Sequence, residues 1–153
     1  MKVLIVTSDL YPAIGGPFNV ISSTVKELLK KKKFSLRIYA FNDGKKKSFF
    51  KIFRIINKFE IIHFYGGWSF HHIMVYFIAK FLKKKFIISP MGIFDDWSLD
   101  QKKIKKKIAL FSYQKKILDD CDHIHATSNK EKKDIQKITS NENISVIPHG
   151  ISE

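Results

Sequence analysis

The chain has 153 residues and 17.9 kDa, the size of one domain, and its 44% hydrophobic and 14% aromatic content excludes intrinsic disorder. A single cysteine, Cys121, excludes a disulfide scaffold and a cysteine-built zinc site. The net charge of +14 is carried almost wholly by lysine, Arg37 and Arg54 being the only arginines.

Lys2 to Thr7 is a short β-branched run ended by polar residues and reads as a buried strand. Four apolar residues after Lys2 are too few for a secretion signal, so a soluble intracellular domain is expected. A loop over Asp9 to Pro17 follows. Ile21, Val25, Leu28 and Leu29 then mark an amphipathic helix that closes in the lysines 30 to 33. Leu36 to Phe41 reads as a second strand, with a turn at Asn42-Asp43-Gly44. A helix is expected over Lys47 to Phe59, with Phe49, Phe53 and Ile56 on one stripe and Ile52, Ile55 and Phe59 beside it. Ile61 to Phe64 is a third strand broken by Gly66-Gly67. Ser69 to Leu82 reads as a helix apolar nearly all round and therefore well covered; its longest apolar run, Ile73 to Ala79, is too short to span a bilayer. Phe86 to Ser89 is a fourth strand. Ile104, Ile108, Phe111 and Leu118 mark a longer helix ending near Asp119-Asp120. His123 to Thr127, Ser128 to Lys137 and Ile144 to Ile147 complete a strand, a helix and a sixth strand.

Six short apolar strands alternating with helices predict a single α/β, Rossmann-like domain: a doubly wound, mostly parallel sheet with helices on both faces. Such a sheet binds ligands beyond the carboxyl ends of its strands. That rule selects residues 9–17, 65–69, 90–97 and 128–131.

Gly15-Gly16-Pro17 joins the first strand to the first helix, where a close backbone approach and free helical N–H groups suit an anion or a sugar; a plain tight turn is the alternative. The segment is neither of the glycine-rich nucleotide fingerprints. His63 and Trp68 flank the third strand's end. They suit hydrogen bonding and stacking on a sugar ring, and equally a satisfied strand-end histidine and a core tryptophan. His123 and His125 share a strand face but lack a third ligand, so no metal is expected. Ser128 and Glu131 fit a capping box, a structural role that accounts for both and is preferred to a catalytic one. The adjacent pair Asp95-Asp96 reads as loop solvation.

The lysine-rich surface has three readings, taken in order as plain solvation, an anionic membrane face and nucleic acid. Nucleic acid is set aside, because no zinc finger, helix-turn-helix or aromatic-interleaved basic segment is present. Lys47, Phe49, Lys51, Phe53 and Arg54 form a basic amphipathic face of the kind that lies on an anionic bilayer, or else an ordinary outer helix of the sheet.

Taken together, Val3 to Val6, Tyr11-Pro12, Gly15-Gly16-Pro17, Ile61-Ile62-His63, Ser89-Pro90-Met91-Gly92 with Trp97, His125-Ala126-Thr127-Ser128 with Glu131, and Ile147-Pro148-His149-Gly150 stand in an order that resembles a family 4 glycosyltransferase of GT-B fold. The resemblance covers essentially the whole chain. It implies retaining transfer of a sugar from a nucleotide donor, without a metal or other cofactor, to a glycan or lipid-linked acceptor. It also implies that residues 1–150 are the N-terminal acceptor-side domain and that 151–153 begin the crossover to a donor domain this chain lacks. Under it, Gly15 and Gly16 approach phosphate and acceptor, while His63, Trp68, Met91 and Gly92 line the cleft. Met91 stands in the loop where relatives often carry a histidine. The expected protein is cytoplasmic, peripheral on the inner membrane face, and inactive without a donor-domain partner. A non-catalytic membrane- or partner-binding module derived from such an enzyme is the alternative.

Overall fold

In the computed structural model, residues 1–8, 16–31, 33–41, 49–95, 98, 106 and 108–148 are described. Six strands form one all-parallel sheet: β1 (Lys2–Thr7), β2 (Ser35–Ala40), β3 (Ile61–Tyr65), β4 (Lys85–Ser89), β5 (His123–Ala126) and β6 (Ile144–Val146), in the order β2-β1-β3-β4-β5-β6. Among the described residues five α-helices stand between them: α1 (Gly16–Lys30), α2 (Phe49–Asn57), α3 (Phe70–Phe81), α4 (Lys115–Asp120) and α5 (Asn129–Gln136). The chain starts in the middle of the sheet, steps to β2 and then reverses past β1 to β3, so a switch point lies between β1 and β3. Residues 9–15, in the expected first loop, and 42–48, with the expected turn at Asn42-Asp43-Gly44, lie outside the described residues.

Strand alternation divides the core in two. Leu4, Val6, Ile62, Phe64, Phe86, Ile88, Ile124 and Ala126 pack against Ile52, Ile55 and Ile56 of α2, Val75 and Ile78 of α3, Ile117 and Leu118 of α4 and Ile135 of α5. On the opposite face Ile5 and Tyr65 meet Ile21 of α1. Helices thus cover both faces, unevenly. Among the described residues α1 is alone on its side.

Two expectations need correction. The α3 helix is not well covered: Phe70, Phe77 and Phe81 stand 74, 57 and 77% exposed, while His72, Val75, Tyr76, Ile78 and Ala79 face inward. An apolar circumference does not reveal which side meets the sheet. The longer helix ends at Asp120 as expected and is helical wherever described, but it contains a π-helical turn, Leu110–Gln114, that runs into α4. That wider turn shifts the inward face, so Ile108 and Phe111 are exposed and Gln114, Ile117 and Leu118 are buried. Ile104 lies outside the described residues.

Candidate functional site

The carboxyl ends of β3 and β4 carry unusual backbone. Gly66, Trp68, Met91 and Gly92 all have positive φ (91, 62, 63 and 78°). For Trp68 and Met91 this left-handed conformation is strained, and it persists because neighbouring bonds over-determine it. The Gly66 N–H donates to the Ser89 carbonyl (2.8 Å), tying the loop after β3 to the end of β4. The Gly92 N–H donates to the Glu131 carboxylate (2.7 Å).

Glu131 also corrects the capping-box expectation. The Ser128 hydroxyl does cap α5, accepting from the Glu131 N–H at 3.1 Å. The glutamate side chain, however, reaches past the cap to accept from the Thr127 N–H and hydroxyl, each at 2.7 Å, and from Gly92 across the sheet end. One buried carboxylate therefore joins the start of α5 to the Met91–Gly92 loop.

His63 enters a polar relay on the α1 face. Its Nε2 is 2.7 Å from the Ser89 hydroxyl, which is 2.8 Å from Nδ1 of His125, whose Nε2 is 2.8 Å from the Ile147 carbonyl. A carbonyl accepts only, so His125 carries its hydrogen on Nε2 and, when neutral, offers a lone pair on Nδ1. Ser89 then donates to His125 and accepts from the Nε2–H of His63. Every tautomer follows from that one terminal carbonyl. His63 is held neutral: burial, followed by its histidine neighbours His125 and His123, lowers its pKa to about 3.

Trp68 packs edge-on against Phe94 (5.4 Å, 69°), with the Lys106 ammonium 5.7 Å from its ring centre. Its carbonyl accepts from the Tyr113 hydroxyl at 3.3 Å. Gly67 is tightly enclosed: a methyl group there would sit 2.5 Å from Cδ1 of Ile93 and 3.6 Å from the amide oxygen of the buried Gln114. At the β1 end, Ser8 donates to the Ser69 hydroxyl (3.2 Å), and Ser69 in turn caps α3 by accepting from the His72 N–H.

The candidate residues therefore separate. Trp68 follows the end of β3, Met91 and Gly92 follow the end of β4, and His63 lies inside β3; Trp68 packs against the core under α2 to α5, whereas Met91 packs towards the Ile5–Ile21–Tyr65 cluster beside α1. Gly16 opens α1 at the end of β1; Gly15 lies outside the described residues, as does Lys47. Phe49, Lys51, Phe53 and Arg54 lie apart from this group, on α2. Sequence reading missed Ser89 and the reach of Glu131. The only available signal was that His63, Ser89 and His125 each fall within the last three residues of successive strands. Among the described residues no group of three metal-ligating side chains comes together. Cys121 is buried, which pushes its thiol up to about 12, so it offers no thiolate nucleophile.

A family model, Glycosyltransferase Family 4, matches residues 4–153. No curated protein matches the chain. Among solved structures, that of Anabaena Alr3699/HepE in complex with UDP-glucose is similar at TM-score 0.65 and 12% identity over 99% of this chain and 44% of that one. The complex of the same protein with UDP and glucose gives 0.63 and 11%, covering 99% and 45%. The chain thus spans less than half the length of the structures it matches. Its sheet is the Rossmann-like N-terminal half of a GT-B fold, and the chain belongs to glycosyltransferase family 4.

Proposed function

We propose that this chain is the acceptor-binding half of a nucleotide-sugar-dependent glycosyltransferase that retains anomeric configuration and builds a glycan, polysaccharide or lipid-linked saccharide. Residues 1–150 form that half in this reading. The donor sits mainly in a second half, supplied in the same polypeptide or by a partner chain, and no metal is required. The family match and the strained loops at the ends of β3 and β4 support this reading. The observation that carries it is the pair of ties, Gly66 to Ser89 and Gly92 to Glu131, which hold two loops rigid where parallel sheets bind ligands.

In this reading the chain's residues bind and orient. The α1 N-terminus at Gly16 faces phosphate with free N–H groups. The loop of Met91 and Gly92 shapes the wall beside the acceptor, and Met91 supplies neither acid nor base. His63, neutral and donating to Ser89, keeps the strand ends in register rather than exchanging protons with substrate. Stabilisation of the departing diphosphate falls to cationic groups of the donor half. A non-catalytic module derived from such an enzyme is the second reading.

Sugar transfer from UDP-glucose to lipid-linked saccharides tests the proposal. The purified 153-residue chain should give no turnover alone, and Gly16→Trp should abolish acceptor binding while the unfolding transition is unchanged. Robust turnover by the chain alone would overturn the half-enzyme reading, and acceptor binding that survives Gly16→Trp would misplace the site. Full activity after a donor half is added would exclude the non-catalytic reading.

A further inference from the structure

The helices α2 and α3 turn phenylalanines outward in a way that a solvated surface does not require. Phe50, Phe70 and Phe81 are about three-quarters exposed (76, 74 and 77%), and Phe49 and Phe77 are more than half exposed. An open groove of about 940 Å³ runs between the helices, lined chiefly by Phe49, Phe53, Phe70, Met74, Phe77 and Phe81. The rings of Phe49 and Phe53 are 6.5 Å apart and those of Phe53 and Phe81 6.2 Å, so aromatic contact continues from one helix to the other. Contiguous apolar surface of this kind marks an interaction site.

The surroundings say what kind. A second hollow, of about 290 Å³, is lined by Arg37, Phe50, Lys51, Arg54, Ile55 and Lys58. Neither lining includes an aspartate or glutamate among the described residues. Residues 44–94 carry ten lysines and arginines, with Glu60 their sole acid. Among the described residues the groove's one cation, Lys80, is paired with Asp120. A small soluble ligand would need converging polar groups to orient it, and among the described residues the groove offers only Lys80. A second copy would set one lysine-rich rim against another, and protein interface cores are depleted in lysine.

We propose that the α2–α3 face docks on an anionic phospholipid bilayer. The exposed phenylalanines enter the boundary between headgroups and acyl chains, and Arg37, Lys51, Arg54 and Lys58 meet lipid phosphates. No helix among the described residues is long and apolar enough to cross a membrane, so this contact lies in the interface plane. Phe70 stands two residues from Trp68, so the docked face borders the candidate site. The inference goes beyond the proposed transferase half and does not depend on sugar transfer.

The test is sedimentation of the 153-residue chain with phosphatidylcholine vesicles, with and without phosphatidylglycerol. Binding should require phosphatidylglycerol. Phe77→Ser with Phe81→Ser, both at exposed positions, should weaken it about tenfold while the unfolding midpoint holds. Lys51→Gln, Arg54→Gln and Lys58→Gln together should weaken it about 100-fold at low salt. Equal binding by the phenylalanine variant would reduce the face to a charge effect and overturn the proposal. So would an absence of vesicle binding, or a dimer in solution that the phenylalanine variant dissolves. None of these outcomes bears on transferase activity.

Discussion

Acidifying the solution from about pH 7 to about pH 5 should destabilise the fold through His72, and replacing that residue should remove the effect. The ring is fully buried, stacked on Phe64 (4.1 Å, 17°) and near Phe86, and neither nitrogen has a hydrogen-bond partner among the described residues. Burial lowers its pKa from 6.5 to about 3. Between those values the unfolded chain binds a proton that the folded chain refuses, so stability is complete above the unfolded value and falls as pH drops towards the folded one. The limiting slope is about 1.4 kcal/mol per pH unit. Integrated between those two pH values, the loss is about 2 kcal/mol from His72 alone. His63 acts in the same direction, so the whole chain loses more. The comparison that isolates His72 is therefore urea unfolding of the wild type and His72→Leu at both pH values. The variant should be more stable at neutral pH by about 1 kcal/mol, having no unpaired buried nitrogens. Its stability should also fall by about 2 kcal/mol less on acidification. Equal pH dependence in the two proteins would refute the reasoning, because the histidine would then be solvated or paired.

Glu131→Gln should cost about 2 kcal/mol in urea unfolding, because the amide nitrogen must face either the Thr127 N–H or the Gly92 N–H and sets donor against donor where the carboxylate accepted; wild-type stability in the variant would remove the carboxylate bridge. Gly67→Ala should cost about 1–2 kcal/mol by pressing a methyl group on Cδ1 of Ile93, and Ile93→Val, which deletes that atom, should recover most of the loss in a double-mutant cycle. Additive effects of the two changes would separate the loop from its packing.

The strands were legible because parallel strands buried on both faces are continuous apolar runs, and Leu4-Ile5-Val6 or Phe86-Ile87-Ile88 fit little else between polar stops. The α3 exposure was not legible, since Phe70, Phe77 and Phe81 look the same whether they meet a sheet or a solvent-facing groove. Nor was the π-helical turn at Leu110–Gln114, which has no proline or glycine to announce it and whose inward face includes a glutamine. The site fell between these cases. Strand ends and glycines nominated His63 and Gly92 as candidates. Ser89 acquires meaning once β3, β4 and β5 are known to be neighbours, because its single hydroxyl proton must then choose between two histidines. Glu131 shows the same limit. Its cap is a local pattern spanning three residues, whereas its bond to Gly92 spans 39, and only the sheet order brings them together. Local spacing can therefore assign a residue to a helix end and still miss its second partner. In a parallel sheet that second partner is what places the residue at the ligand-facing edge, because every strand delivers its last residues to the same side.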